Sequence, residues 1–266
     1  MKLTPTNYLP FIVIIGLAMQ VVTACLGQPA APLPSQDDPT LAKKSYKDLI
    51  VGYAQLGDES EWRTANTNSI KKEAERLGVE LMFSDAQQKQ ENQIKAVRAF
   101  IAHQVDVIGI SPIVETGWEA VFQEAKDAGI PIILVDRRAD VPEDLYVTYI
   151  GSDFAEEGEK SARVMVDLLA GQGKIVELMG TIDSAPAKGR YEGFRKVLAD
   201  YPEMQIIASK PADFTQAKGK EVMEEFLQQY GGDIEAVYAH NDDIALGAIS
   251  AIEADGLKTR HDIKIV

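Results

Sequence analysis

The chain has 266 residues, enough for one large domain or two lobes of ordinary size. Apolar residues make up 45% and charged residues 26%, so real cores can form and wholesale disorder is excluded. A formal net charge of −14 repels phosphate backbones, which argues against nucleic acid as a partner and leaves a neutral ligand open.

The first segment reads as a targeting signal. Lys2 supplies a thin positive region, and Leu9 to Val22 is nearly unbroken apolar sequence interrupted mainly by Pro10 and Gln20. Small residues then lead to the single cysteine: Val22-Thr23-Ala24-Cys25. This run resembles a bacterial lipobox, which implies a lipoprotein signal peptide over residues 1–25. Cys25 would become the new N-terminus and carry lipid. An uncleaved anchor is the alternative, although the run is short for a full span. A plain secretory signal with an incidental cysteine is another. Every version places the remainder outside the cytoplasmic membrane, and a lone cysteine cannot form an internal disulfide. Residues 26–45 hold Pro29, Pro32, Pro34 and Pro39 among Gly, Ser, Gln and Asp, a composition that reads as a flexible tether.

From Leu49 onward, short apolar runs alternate with helical stretches. Strands are predicted at 49–54, 79–83, 107–110 and 132–135, with helices at 62–77, 93–103 and 118–128 between them. Gly78 and Gly129 stand just past two of those helices, where a left-handed residue ends a helix. Further strands are predicted at 146–150, 174–179, 205–208, 236–240 and 263–266. Helices are predicted at 155–170, 188–199, 217–230 and 243–254. Strands that are apolar throughout are buried on both faces, as in parallel sheets with helices on either side. The fold class is therefore α/β, with two doubly wound parallel-sheet lobes over 46–150 and 151–266.

In such sheets ligands bind beyond the carboxyl ends of the strands. The segments found there are Glu59-Ser60-Glu61-Trp62-Arg63, Asp136-Arg137, the stretch leading to Arg190, Asp213-Phe214 and His240-Asn241-Asp242-Asp243. This mixture suits a sugar. Carboxylates accept from hydroxyls, arginine donates in a fork, and asparagine does both. An aromatic plane such as Trp62 or Phe214 packs on the C–H face of a sugar ring. Each residue also has a plainer reading. Asp136 could cap a helix or pair with Arg137, Trp62 could pack in a first turn, Asn241 could be an N-cap, and Arg190 could be a surface residue. Trp118 reads as packing, and Glu156, Glu157 and Glu159 as a solvated helix start that suits the dipole. No dinucleotide fingerprint, P-loop or nucleophile elbow is present. The three histidines show no metal spacing, and His240 reads as structural or as a peripheral contact. Neither a cofactor nor a metal is expected, and no enzyme activity.

Several runs carry a family resemblance that extends from about Leu49 to the last residue. They are Glu59 to Arg63, Gln87 to Arg98, Thr116-Gly117-Trp118-Glu119, Pro131 to Arg137, Asp213-Phe214-Thr215, Lys218 to Glu224 and Tyr238 to Asp243. The chain resembles periplasmic sugar-binding proteins of ABC importers, of the ribose and galactofuranose type and closest to the galactofuranose branch. The resemblance implies a type I periplasmic binding protein fold. Glu59, Ser60, Glu61, Trp62 and Arg63 would line the first wall, with Asp136 and Arg137 binding ring hydroxyls. Arg190, Phe214 and Asn241 would bind from the second lobe. Glu61 and Pro186 depart from the family pattern. The family continues past a strand like Ile263–Val266 into a Gly-x-Asp loop and a second crossover, so the chain reads as C-terminally truncated. The resemblance further implies a monomer that captures a monosaccharide, closes its lobes and docks on a membrane permease. A sensor domain presenting sugar to a receptor or kinase is the alternative. A DNA-binding regulator of related fold would need a helix-turn-helix where the signal segment stands.

Overall fold

The computed structural model describes residues 44–259 and 261–266. The expected signal peptide, Cys25 and nearly all of the expected tether lie outside the described residues. Among the described residues nine strands and seven α-helices alternate in chain order, except that the fourth strand leads to the fifth without an α-helix between. The first half runs β1 (Ile50–Gln55), α1 (Glu61–Leu77), β2 (Glu80–Asp85), α2 (Gln90–Ala102), β3 (Val107–Ile110), α3 (Glu119–Asp127), β4 (Ile132–Val135) and β5 (Thr148–Ile150). The second runs α4 (Phe154–Leu169), β6 (Gly173–Met179), α5 (Ala185–Leu198), β7 (Met204–Pro211), α6 (Gln216–Tyr230), β8 (Ala236–Ala239), α7 (Asp242–Ala254) and β9 (Lys264–Ile265).

The strands form two all-parallel sheets, ordered β2-β1-β3-β4-β5 and β7-β6-β8-β9. Both begin by reversing direction at their first strand, so each has a switch point: β1 beside β3, and β6 beside β8. At such a point the loops leaving the carboxyl ends diverge and open a crevice.

Helices cover the sheets unevenly. α2 and α3 bury Val97, Phe100, Val121 and Phe122 against one face of the first sheet. The polar α1 buries a single side chain, Arg63. The second sheet is sandwiched. α4 and α5 cover one face with Met165 and Phe194, and α6 and α7 cover the other with Met223, Phe226 and Ile252. Glycine lets these helix pairs approach backbone to backbone. A Cβ on Gly193 of α5 would lie 2.0 Å from the Ala155 carbonyl oxygen on α4, and one on Gly247 of α7 would lie 2.2 Å from the Gln216 carbonyl oxygen on α6.

Several boundaries differ from those predicted, for physical reasons. α5 starts at Ala185 rather than Lys188, because the Ser184 hydroxyl caps the turn and Pro186 sits where no backbone N–H is needed. Pro186 therefore belongs to a helix start and not to a loop. β7 runs on through the polar Ser209 and Lys210 because it is an edge strand, and its proline falls at the end. Trp118 packs as expected: it is fully buried, and its indole N–H donates to the Val114 carbonyl at 2.7 Å.

One buried polar group crosses the second sheet. Glu177 on β6 accepts a fork from Arg195 at 2.8 and 2.7 Å and a hydrogen bond from the Ser209 hydroxyl. Burial works against its ionisation, but Arg195, His240 and Ser209 outweigh that and hold the carboxyl at about 2.

Two measurements test this packing. Gly193→Ala forces α4 and α5 apart and should cost about 1–3 kcal/mol in thermal or denaturant melts. Gly232→Ala, whose Cβ meets nothing within 4 Å, should stay within about 0.5 kcal/mol of wild type. A carboxyl depressed in the native state stabilises above its unfolded pKa, and that contribution is lost as pH falls toward the native value. The stability gap between wild type and Glu177→Gln should therefore be widest above about pH 4.5 and shrink as pH falls toward 2.

Candidate functional site

The site begins where β1 ends. The Ser60 hydroxyl caps α1 by accepting from the Arg63 N–H at 3.1 Å. This tight start sets Glu59 and Ser60 just before the helix and Glu61, Trp62 and Arg63 in its first turn. The Arg63 side chain points back into the protein, only 2% exposed. Its Nε donates to Glu59 at 3.2 Å and its Nη2 to the Asp136 carboxylate. Glu59 also accepts from Gln88 at 3.1 Å.

Asp136 directly follows β4 with φ at +64°, a left-handed conformation that aspartate tolerates better than most residues. Its N–H donates to the Ile150 carbonyl at 2.7 Å, and its own carbonyl accepts from the Tyr149 hydroxyl at 2.8 Å. No helix follows it, so it caps none. Arg137 is buried beside it. Its Nη1 donates to the Ile113 carbonyl at 3.2 Å, and its Nη2 lies 3.5 Å from Glu59. Two guanidiniums and two carboxylates thus share one nearly dry cluster. Burial pushes Arg63 down, but Asp136 and Glu59 outweigh that and raise it above its ordinary value. Burial wins at Arg137, aided by the neighbouring Arg63 charge, and takes it down to about 10. Arg63 Nη1 and Arg137 Nε are buried donors with no protein acceptor.

The opposite wall comes from the second sheet. After β7, Asp213 and Phe214 both have positive φ, at 52° and 62°. The Phe214 ring lies so close to Gly180 that a Cβ there would fall 1.9 Å from its Cζ. The same ring faces two guanidiniums, with Arg137 at 5.1 Å and Arg190 at 5.9 Å from its centroid. Arg190 on α5 also stands over Phe154 and pairs with Glu157 at 2.7 Å. Asn241 keeps its plainer role: its Oδ1 caps α7 by accepting from the Ile244 N–H at 3.0 Å. In addition its Nδ2 donates to the Phe214 carbonyl at 3.2 Å, which fixes the loop carrying the ring.

All ten residues expected from the sequence to bind ligand line one cavity of about 430 Å³, inside the range of small-molecule sites. Trp62 is 55% exposed at its edge, with Arg63 on one ring face at 4.9 Å. The halves also touch beside the cavity, where the Glu115 N–H donates to the Asp183 carbonyl at 2.9 Å and its carboxylate meets Lys188 at 3.2 Å.

Sequence reasoning missed part of the lining. Glu157 stands in the first turn of α4 as expected, but it also lines the cavity, where it pairs with Arg190, 33 positions away. Glu156 and Glu159 do stay with surface lysines and Arg163. Ser152, Phe154 and Pro186 complete one side, and Asp242, Asp243 and Leu246 of α7 another. Burial raises the Asp243 carboxyl, and the nearby Glu61, Asp242 and Glu59 charges add to it, while the Glu61 N–H pulls the other way. A signal for Asp243 is present in the sequence, since it stands two residues after the Asn241 cap. None marked Glu157.

The lining holds six carboxylates against three guanidiniums. Every guanidinium already faces a carboxylate, so an anionic ligand would find no free counter-charge. Among the described residues no cluster of His, Cys, Asp and Glu could hold a metal ion. Nor is any described helix long and apolar enough to cross a membrane.

Residues 51–266 match the model of the periplasmic binding protein domain. The galactofuranose-binding protein YtfQ of Escherichia coli (strain K12) is 49% identical over 219 residues, which span 81% of this chain and 69% of that protein. The periplasmic binding protein component of the arabinose ABC transporter from Shewanella sp. ANA-3, solved with α- and β-L-arabinofuranose, is 51% identical. It superposes with a TM-score of 0.79 over 81% of this chain and 72% of that one. A Mycobacterium smegmatis protein solved in complex with β-D-fucofuranose is also 51% identical, with a TM-score of 0.79 over 82% of this chain and 72% of that one. With two parallel sheets facing one polar cavity and a family match that covers most of its length, the chain belongs to the periplasmic binding protein domain family.

Proposed function

We propose that this chain is the solute-binding component of an ABC-type importer and captures a neutral monosaccharide in its furanose form. The observation that carries the reading is the cavity at the carboxyl ends of both sheets. It offers carboxylate acceptors, guanidinium donors and two aromatic planes, and it has no free positive charge for an acid. Each sugar hydroxyl is both donor and acceptor, and such a set can satisfy both roles. The ligands of the three relatives, galactofuranose, arabinofuranose and fucofuranose, share a five-membered ring and no charge.

In this reading residues 46–150 and 151–266 act as two lobes that close on the ring. Trp62 covers one face of the sugar and Phe214 supports the other side. Glu59, Ser60, Glu61 and Asp136 accept from hydroxyls. Arg63 and Arg137 donate, with their partnerless N–H groups available to a hydroxyl oxygen. Arg190 and Asn241 bind from the second lobe. No bond is made or broken, and the closed form is what a permease would recognise. Cys25 carries lipid in the mature protein, and the proline-rich stretch behind it spaces the lobes from the membrane.

Titration calorimetry with L-arabinose, galactofuranose, ribose and glucuronate tests the reading. Saturable heat is expected from at least one neutral sugar and none from glucuronate. Trp62→Ala should weaken the best ligand about tenfold, the worth of one stacked aromatic. Silence from every monosaccharide would sink the proposal.

A further inference from the structure

His240 ends the strand run of β8 and is 2% exposed, yet it is not among the cavity-lining residues. Both ring nitrogens are engaged. Nδ1 accepts from the Gly180 backbone N–H at 3.2 Å, and Nε2 lies 3.3 Å from the Glu177 carboxylate. An Nδ1 that accepts must be bare, so the proton sits on Nε2 and points at Glu177. Glu177 is itself held by Arg195 and Ser209. The imidazole therefore has one permitted tautomer and one orientation.

Gly180 is the residue against which the Phe214 ring packs, with no room for even a Cβ between them. The depth of the aromatic wall in the cavity thus depends on where the Gly180 backbone sits, and that is where His240 holds it. The Phe214 ring in turn faces Arg137 and Arg190.

We infer that His240 is a positioning residue for the sugar cavity: as the Nε2–H tautomer it anchors Gly180, and through Gly180 it seats Phe214. A proton on Nδ1 would set two N–H donors against each other and release that anchor. The groups around the ring decide how readily this happens. They are Glu177 from β6, the Gly180 N–H just past its end, Tyr238 from β8 with its ring at 5.0 Å, and the charges of Arg190 and Arg195 from α5. Burial, first of all, holds the imidazole below its ordinary value. The affinity consequence rests on the sugar reading; the tautomer does not.

Two experiments follow. The chain has three histidines, so a long-range ¹H–¹⁵N spectrum of the unliganded protein resolves His240 after one substitution assigns it. The expected signature is a neutral ring protonated at Nε2 with an acceptor-type Nδ1. A ring protonated at Nδ1 would overturn the inference whatever the protein binds. Sugar affinity is then compared at about pH 7 in wild type, His240→Asn and His240→Phe. Asparagine places an acceptor near the position of Nδ1, so it should keep affinity within about threefold. Phenylalanine removes the acceptor and should weaken binding about tenfold or more. Wild-type affinity in His240→Phe would refute the role. If that variant fails to fold, His240→Asn and the spectrum decide: binding weakened more than about tenfold in His240→Asn, or a ring protonated at Nδ1, refutes it. Wild type that binds no sugar at pH 7 would instead refute the function, leaving the spectrum to judge His240.

Discussion

The buried contact of Arg63 with Glu59 and Asp136 ties together the parts on which the site depends. It joins the start of α1 to the end of β4, two segments 73 residues apart in sequence. Neither charge could be left alone there. Removing one partner of such a pair costs several kcal/mol, because an uncompensated charge stays behind in a dry place. The same cluster pulls Arg137 inward, and Arg137 reaches Phe214 in the other half. Arg63 thus fixes the first wall, and Arg137 beside it meets the second.

This arrangement is poor evidence for stability and good evidence for function. Well-packed apolar residues would hold α1 to β4 at least as firmly. Charge has been kept where carbon would serve, at the carboxyl ends of parallel strands. Asp136, Asp213 and Phe214 also carry left-handed backbone there. Strain and buried charge gathered at one crevice are the marks of a site built to meet something polar.

Much of this was legible in the chain itself. β3 and β4 are continuous apolar runs bounded by turn residues, and their predicted limits stand unchanged in the structure. The ligand-side residues could be named because parallel sheets expose the residues that follow their strands. What stayed hidden depends on partners distant in sequence. Glu157 looks like any acidic residue in a first turn until Arg190 is placed across from it. His240 has no local pattern at all; its meaning comes from Glu177 and Gly180, both at least 60 residues earlier. Pro186 falls before the helix expected at 188–199 because the Ser184 cap that makes it part of the helix start acts through geometry.

The two sheets repeat one strand order, with the second strand of each lying outside the first. Each half therefore presents its own crevice, with its own capped helices and its own arginine–carboxylate pairs. A ligand held between them is read twice, once by each surface, with Arg137 over Phe214 as a contact the two share. Mutation can retune the side of the ring that faces α1 and β4 while the side that faces α5 and α7 keeps its grip. Duplicated architecture of this kind lets binding preference drift one half-site at a time, without passing through an intermediate that holds nothing.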